Sequence, residues 1–390
     1  MVVAEKEPFS LYVHIPYCVS KCPYCDFNSH VVPVIPEDAY TQALITELDY
    51  YETTGPWAQR TVQSIFFGGG TPSTFHPASI DRILNRIATT FHLDPKSEIT
   101  LEANPGTVDR SYFSGYRAGG VNRISVGIQS FQSRLLKFLG RAHSVDEAKQ
   151  ALEVVREAGF DNFSLDLIYA NPGQTLEELS ADLETALSFA SPHLSAYNLT
   201  IEEATPFHHE FSAGRLQLLK EEEEIAMAEM IDSKLTTAGF QRYEISNYTR
   251  PGFHSRHNMN YWRSGDYLGI GAGAHSYRRG LSNGVYGYRW WNEKNPARYM
   301  SKIEATGNAV TERDETDFHK AAGEFMFSGL RLIEGICLNT FSGRFRYNAL
   351  ELYPQIEGWV SEGFMERDGD RLRLTRRGLL VANSIFVNFV

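Results

Sequence analysis

Cys18, Cys22 and Cys25 fall within eight residues, in His14-Ile-Pro-Tyr-Cys-Val-Ser-Lys-Cys-Pro-Tyr-Cys-Asp-Phe27, and they are three of the four cysteines in the chain. Thiolates at this spacing are ligands for zinc or for an iron–sulfur cluster. A structural zinc site wants a closed set of four, which His14 or His30 could complete, whereas three thiolates leave one iron of a cubane open. A disulfide is the third reading, and spacing alone leaves all three open. The extended run Leu11–Tyr17 leads straight into the thiols, so they are expected on a loop just past a strand end, where ligands gather.

Further polar residues recur at the ends of predicted strands. From Leu11 to Ile201, β-rich runs alternate with longer helical patterns, which implies parallel strands joined by crossover helices. The strand candidates are 11–17, 62–67, 98–103, 123–129, 162–169 and 193–201. Helices are expected over 36–53, 77–91, 110–119, 145–159 and 175–190. The fold class is α/β, with the spacing of a partial (β/α)6 barrel, in which chemistry collects at the C-terminal strand ends. There lie Cys18, then Gly68-Gly-Gly-Thr-Pro72, Glu102 and Gln129, with Asp166 inside the fifth strand and Asn198 and Thr200 near the end of the sixth. The glycines lack a Cβ and would bring backbone N–H donors close to a bound group; a tight turn is the plainer alternative. Glu102 could accept two hydroxyl hydrogen bonds or be a paired strand-end polar group, and Arg141 with Asp166 could form a buried ion pair.

A formal net charge of −11 disfavours general affinity for nucleic acid or for an anionic membrane surface. No apolar signal core opens the sequence and no apolar run is long enough to span a bilayer, so a cytoplasmic location is expected. Clustered cysteines fit a reducing compartment, and Cys337 reads as an ordinary buried residue.

Cys-x3-Cys-x2-Cys with Tyr24 before the third cysteine resembles the loop of the radical S-adenosylmethionine (SAM) enzymes. The resemblance implies a [4Fe-4S] cluster on Cys18, Cys22 and Cys25 whose open iron is chelated by SAM. It also implies an electron donor such as flavodoxin or ferredoxin. Gly127-Ile-Gln-Ser, Leu139-Gly-Arg-Ala-His143 and Asp166-Leu-Ile-Tyr-Ala-Asn-Pro-Gly-Gln174 are similar to the oxygen-independent coproporphyrinogen III oxidases and their relatives. In that branch the residues matching Tyr12, Gly69 and Glu102 attend the first SAM. Those matching Tyr24, Gly70, Thr71, Gln129, Arg141 and Asp166 surround a second.

The segment 241–300 holds nine Arg or Lys against three acids, interleaved with Tyr and Trp. Such a surface would accept a flat apolar ligand with carboxylate arms, or would be a loop-rich interface with arginines stacked on aromatics. It contains His257-Asn-Met-Asn-Tyr-Trp262 and Asp266-Tyr-Leu-Gly-Ile-Gly-Ala-Gly-Ala-His275, which resemble the HemW branch of heme chaperones. Two departures from the oxidase pattern favour that branch: Phe27 stands where the oxidase has a fourth cysteine, and only seventeen residues precede Cys18. The resemblance implies heme as ligand, with His257 as the heme-linked residue, and delivery of heme to acceptor proteins, respiratory ones being the expected kind. The alternative it leaves is the oxidase itself, a radical enzyme converting two propionates of a porphyrinogen to vinyls. Domains are expected over 1–240 (the barrel), 241–305 (the basic aromatic segment) and 306–390, a smaller α+β, winged-helix-like domain with a modest arginine cluster and no DNA role.

Overall fold

Six consecutive parallel strands form the centre of the computed structural model, which describes residues 7–58, 60–107, 109–282 and 284–389. They are β1 (Phe9–Ile15), β2 (Thr61–Gly69), β3 (His92–Ala103), β4 (Arg123–Gln129), β5 (Phe163–Tyr169) and β6 (His193–Asn198), paired in sequence order. The crossovers are α1 (Glu37–Thr53), α2 (Pro77–Thr90), α3 (Arg110–Ala118), α4 (Ser133–Phe138) with α5 (Val145–Glu157), and α6 (Leu176–Ser188). Local chemistry starts these helices. The Asp109 carboxylate accepts from the Ser111 and Tyr112 amides, and Ser144 with Glu147 and Thr175 with Glu178 form capping boxes. Alternate residues of β1, Phe9, Leu11, Val13 and Ile15, are buried under the helices, and with the inward faces of α1, α2 and α5 they make the main core. This is the expected partial barrel.

The sheet does not stop at six strands. Helices α7 (Pro206–Ser212) and α8 (Glu221–Thr237) lead to β7 (Gln241–Arg242) and β8 (Asn247–Thr249), which pair antiparallel beyond β6. After α9 (Arg256–Trp262), β9 (Tyr267–Ile270) returns to pair parallel with β1. The strands β10 (His275–Ser282), β11 (Val285–Asn292) and β12 (Val310–Thr316) then extend that edge antiparallel, giving twelve strands. The basic aromatic segment is therefore largely sheet rather than loop. Most of its arginines are occupied by neighbours: Arg278 lies over Tyr288, Arg289 over Tyr277 and against Glu324, and Arg279 against Asp266 and Glu7. The arginine-on-aromatic reading describes this surface better than a bare cationic face does.

Beyond β12, which lies past residue 306 yet belongs to the central sheet, a second core gathers Ala321, Phe325, Phe341, Phe345 and Leu372. Its helices pack on a three-stranded sheet of β13 (Ile336–Cys337), β14 (Met365–Asp368) and β15 (Arg371–Leu374), the small α+β domain expected from the sequence. Two short helices, Arg376–Leu380 and Ala382–Phe386, follow β15. Cys337 is half-buried and capping, its thiol 2.7 Å from the Asp370 carboxylate.

Two buried polar clusters tie the strand extension to the barrel. Arg60 donates to Asp266 at 2.7 Å with both side chains almost wholly buried. Glu47 of α1 accepts from Tyr299 Oη at 2.6 Å, from Asn292 Nδ2 at 2.7 Å and from the Gly271 amide at 2.9 Å, while burial pushes its carboxyl up to about 7. Among the described residues no helix is long and apolar enough to cross a membrane.

Candidate functional site

The cysteine loop is closed at its neck by backbone bonds between Pro16–Cys18 and His30: the Cys18 amide donates to the His30 carbonyl at 3.0 Å, and the His30 amide to Pro16 at 2.7 Å. Asn28 anchors its far side to the strand extension through the Ala272 and Lys294 carbonyls. The glycine stretch after β2 packs directly on this neck. Gly70 N donates to the Ile15 carbonyl and Thr71 N to that of Tyr17, both at 2.8 Å, and Gly69 N reaches Glu102 Oε2 at 3.3 Å. These amides are thus engaged within the protein rather than left as free donors. Gly70 is required by close packing, since a Cβ there would lie 2.6 Å from the Tyr17 carbonyl oxygen.

All four cysteines are unpaired, which removes the disulfide reading. Among the described residues no three His, Cys, Asp or Glu side chains come close enough to share a single metal ion. His14 cannot complete a zinc set: its Nδ1 lies 2.9 Å from Tyr12 Oη and its Nε2 2.9 Å from the Asn28 carbonyl. Cys18, Cys22 and Cys25 all line one cavity of about 400 Å³.

The same cavity is lined by Tyr24, Gly69, Gly70, Thr71, Glu102, Gln129, Arg141 and Asp166. The strands deliver them from different directions to the C-terminal face of the sheet, as the barrel geometry requires. Arg141 and Asp166 are not an ion pair. The Arg141 guanidinium donates to Asn104 Oδ1 at 2.5 Å and to the Gly127 carbonyl at 2.9 Å, and it approaches Cys22 Sγ at 3.5 Å and Tyr24 Oη at 3.4 Å. Its Nε has no hydrogen-bond partner among the described residues. Asp166 accepts from Ser125 at 2.8 Å and from Ser164 at 3.1 Å. Burial, with the Asp166 carboxylate behind it, pushes the Glu102 carboxyl up to about 8. Thr71 Oγ1 donates to Cys18 Sγ at 3.5 Å and accepts from Asn104 Nδ2 at 2.9 Å. Gln129 ends β4 with φ of 69°, a left-handed conformation that a non-glycine residue holds at a cost of about 1–3 kcal/mol and that recurs at ligand sites.

With this geometry stand the similarities to known proteins. Residues 12–186 match the model of the radical SAM superfamily, and residues 319–381 match that of the HemN C-terminal domain. The heme chaperone HemW of Escherichia coli is 38% identical, with 98% of each chain covered. That of Bacillus subtilis is 34% identical over 98% of this chain and 99% of its own. The chain belongs to the HemW family. The solved structure of the E. coli coproporphyrinogen III oxidase HemN superposes with a TM-score of 0.82 over 99% of this chain and 90% of its own, at 22% identity, a likeness of fold. A [4Fe-4S] cluster and SAM are the cofactors of the radical SAM superfamily to which the HemW proteins belong.

Within this member of the family, Tyr12 stands apart from the other expected site residues. It lines a second cavity of about 580 Å³ that shares Lys21, Asp26, Phe27, Ser29, Gly69 and Glu102 with the first. His257 lines neither. It is 1% exposed, its ring tilted against Phe66, with Nδ1 3.0 Å from Ser64 Oγ and Nε2 2.9 Å from Tyr261 Oη. Burial lowers its pKa to about 3, so the ring is neutral, and neither nitrogen is free to meet an iron in this conformation. The His-Asn-x-x-Tyr-Trp sequence is one short helix capped by Ser255, whose inward side carries His257 and Asn260. Sequence reasoning passed over Asn104, which bridges Arg141 and Thr71; its signal was the polar residue before Pro105 at a strand end. His275 of the Asp266–His275 motif and Lys294 of the basic segment line the second cavity.

Proposed function

We propose that this protein is a heme chaperone of the HemW type: it holds a [4Fe-4S] cluster on Cys18, Cys22 and Cys25, binds SAM beside it, takes up heme and passes it to acceptor proteins. The observation that carries this reading is the convergence of three unpaired thiols with Glu102, Gln129, Arg141 and Asp166 on one cavity. Cys18, Cys22 and Cys25 would hold the cluster, which when reduced would supply the electron for cleavage of bound SAM.

Each surrounding residue has a task that its contacts support. Arg141, fixed by Asn104 and the Gly127 carbonyl, directs a positive charge without a carboxylate partner toward Cys22 and stabilises negative charge in the cavity. Glu102 holds its proton near neutrality when alone and accepts ribose hydroxyls once ionised. Gly69 and Glu102, shared by both cavities, serve the first SAM with Tyr12, whereas Tyr24, Gly70, Thr71, Gln129, Arg141 and Asp166 line the space for a second. Phe27, in place of an oxidase cysteine, presents an apolar side chain at the mouth, 63% exposed. Residues 1–240 form the cofactor barrel and 241–305 the strand extension beside the second cavity. Residues 306–390 supply β12 of that extension and buttress it through Glu324 and Arg289. The protein acts in the cytoplasm, with a flavodoxin or ferredoxin as electron donor and respiratory proteins as the class of acceptor.

The test is to incubate cluster-loaded protein separately with heme and with coproporphyrinogen III plus SAM and reductant. Heme is expected to bind and the porphyrinogen to remain unchanged. Its decarboxylation would make the protein an oxidase.

A further inference from the structure

We propose that Arg123 is a positioning residue for SAM: the countercharge beneath the cofactor cavity that holds the Glu102 and Asp166 carboxylates ready to receive it. This rests on the SAM-binding reading of the cavity and deepens it by naming what supports its acids from inside the barrel.

Arg123 opens β4 and is 2% exposed. Along this strand Ile124, Val126 and Ile128 lie in the main core, whereas Ser125 and Gly127, on the same face as Arg123, line the cluster cavity. The arginine therefore belongs to the barrel interior. Among the described residues no carboxylate lies within ion-pair distance of its guanidinium, and its Nε has no hydrogen-bond partner. A buried cation left in this state is costly, and arginine is almost never fully buried unless paired. Its charge calls for an acid nearby.

The strand register supplies two. Arg123 pairs with Thr100, so Glu102 and Ser125 stand side by side two residues nearer the cavity, and Gly127 pairs with Asp166 beyond them. Two residues along a strand span about 7 Å, over which charges in a buried interior still act on one another. Both carboxylates have only neutral partners: Glu102 the Gly69 amide, Asp166 the hydroxyls of Ser125 and Ser164. The other titratable groups around this interior are neutral or engaged. Burial pushes the phenols of Tyr12, Tyr197 and Tyr243 up and keeps them protonated. His193 and His257 are neutral imidazoles, the first between Ser164 and Tyr243, the second between Ser64 and Tyr261. Glu98 accepts from the Arg256 and His257 amides, and Glu244 from the Ser246 amide and Asn247. Arg141, at the rim, is taken up by Asn104, the Gly127 carbonyl and Cys22. The positive charge that answers the two acids from below is therefore Arg123. Burial and Asp166 push the Glu102 carboxyl up, and the Gly69 amide and Arg123 pull it back. Only the ionised carboxylate has every oxygen lone pair free for the hydroxyls of SAM, so without Arg123 the site would accept SAM at higher pH.

The test compares the parent with Arg123→Lys, Arg123→Met and Arg123→Gln, each with and without Glu102→Gln. Urea unfolding in the absence of SAM, and calorimetric SAM binding to the cluster-loaded proteins, are followed from about pH 6 to 10. In the two neutral variants the pH at which Glu102 ionises, read from the difference that Glu102→Gln makes to unfolding, is expected to rise by about one unit or more. SAM should bind them about tenfold weaker at neutral pH and recover as the pH rises. Arg123→Lys, which keeps the charge, is expected to hold both midpoints near those of the parent, and in the Glu102→Gln background loss of the charge should cost far less SAM affinity. An arginine that only braces the barrel would weaken the fold equally at every pH. Unmoved midpoints in the neutral variants of a SAM-binding parent would therefore overturn the role of Arg123 alone, as would neutral variants that fail to fold even with Glu102→Gln. A parent that takes no SAM would overturn the reading of the cavity together with this role.

Discussion

Replacing Glu102 by Gln should raise the stability of the protein at alkaline pH while weakening its hold on SAM. The carboxyl is buried against Asp166, and its pKa is moved from the ordinary 4.5 up to about 8. An acid whose folded pKa lies above its unfolded one contributes stability that is complete below the unfolded value and is lost as pH rises to the folded value. The window is therefore about pH 4.5 to 8, and the loss across it is at most about 5 kcal/mol, from 1.36 kcal/mol per unit over the shift. Water entering through the cavity screens the charge and reduces this, so about 2–4 kcal/mol is expected. Glutamine keeps an oxygen for the Gly69 amide and cannot ionise. The difference in unfolding free energy between variant and parent should be near zero at pH 4.5 and grow to that size by pH 8.5, measured by urea denaturation of both proteins. Because Glu47, pushed up to about 7, titrates in both, the difference isolates Glu102. A difference independent of pH would refute the assignment of strain to this carboxyl, and undiminished SAM affinity would refute its role in binding.

Alanine at Cys18, Cys22 or Cys25 should abolish cluster assembly, whereas Cys337→Ala, whose thiol serves only a helix cap and Asp370, should leave iron content unchanged after anaerobic reconstitution. Gly70→Ala drives a Cβ into the Tyr17 backbone at the loop neck; thermal unfolding should show a loss of about 1–3 kcal/mol, with reduced cluster loading. Arg141→Lys should leave stability within about 1–2 kcal/mol of the parent yet weaken SAM binding, read by calorimetry, because a point charge cannot span Asn104, the Gly127 carbonyl and Cys22 together. Asp266→Ala strands the buried Arg60 guanidinium and should cost about 3–5 kcal/mol in a denaturant titration.

The barrel was legible because its signals are local. Ser144 and Thr175 with their partner glutamates start helices wherever they stand, and β4 spans Arg123–Gln129 as read from its alternation and flanks. What long-range pairing decides was not legible. The strand β11 carries Trp290 on one face and Arg289 with Trp291 on the other, so it shows no clean alternation, and the strands β9 to β12 are defined by their closure onto β1. His257 sits among polar neighbours in sequence, which suggests a surface site. A helix of seven residues gives too little periodicity to show which side turns inward, and Ser64 and Tyr261 become its partners only in the fold.

The central claim is that the cavity ringed by Cys18, Cys22 and Cys25 holds a cubane with one iron open to SAM. Electron paramagnetic resonance of the anaerobically reconstituted, reduced protein, recorded with and without SAM, tests it most directly. A [4Fe-4S]+ signal that shifts on adding SAM, and shifts less in Arg141→Lys, is the predicted result. A protein that carries a single zinc in place of iron, or a cluster signal indifferent to SAM, would contradict the account.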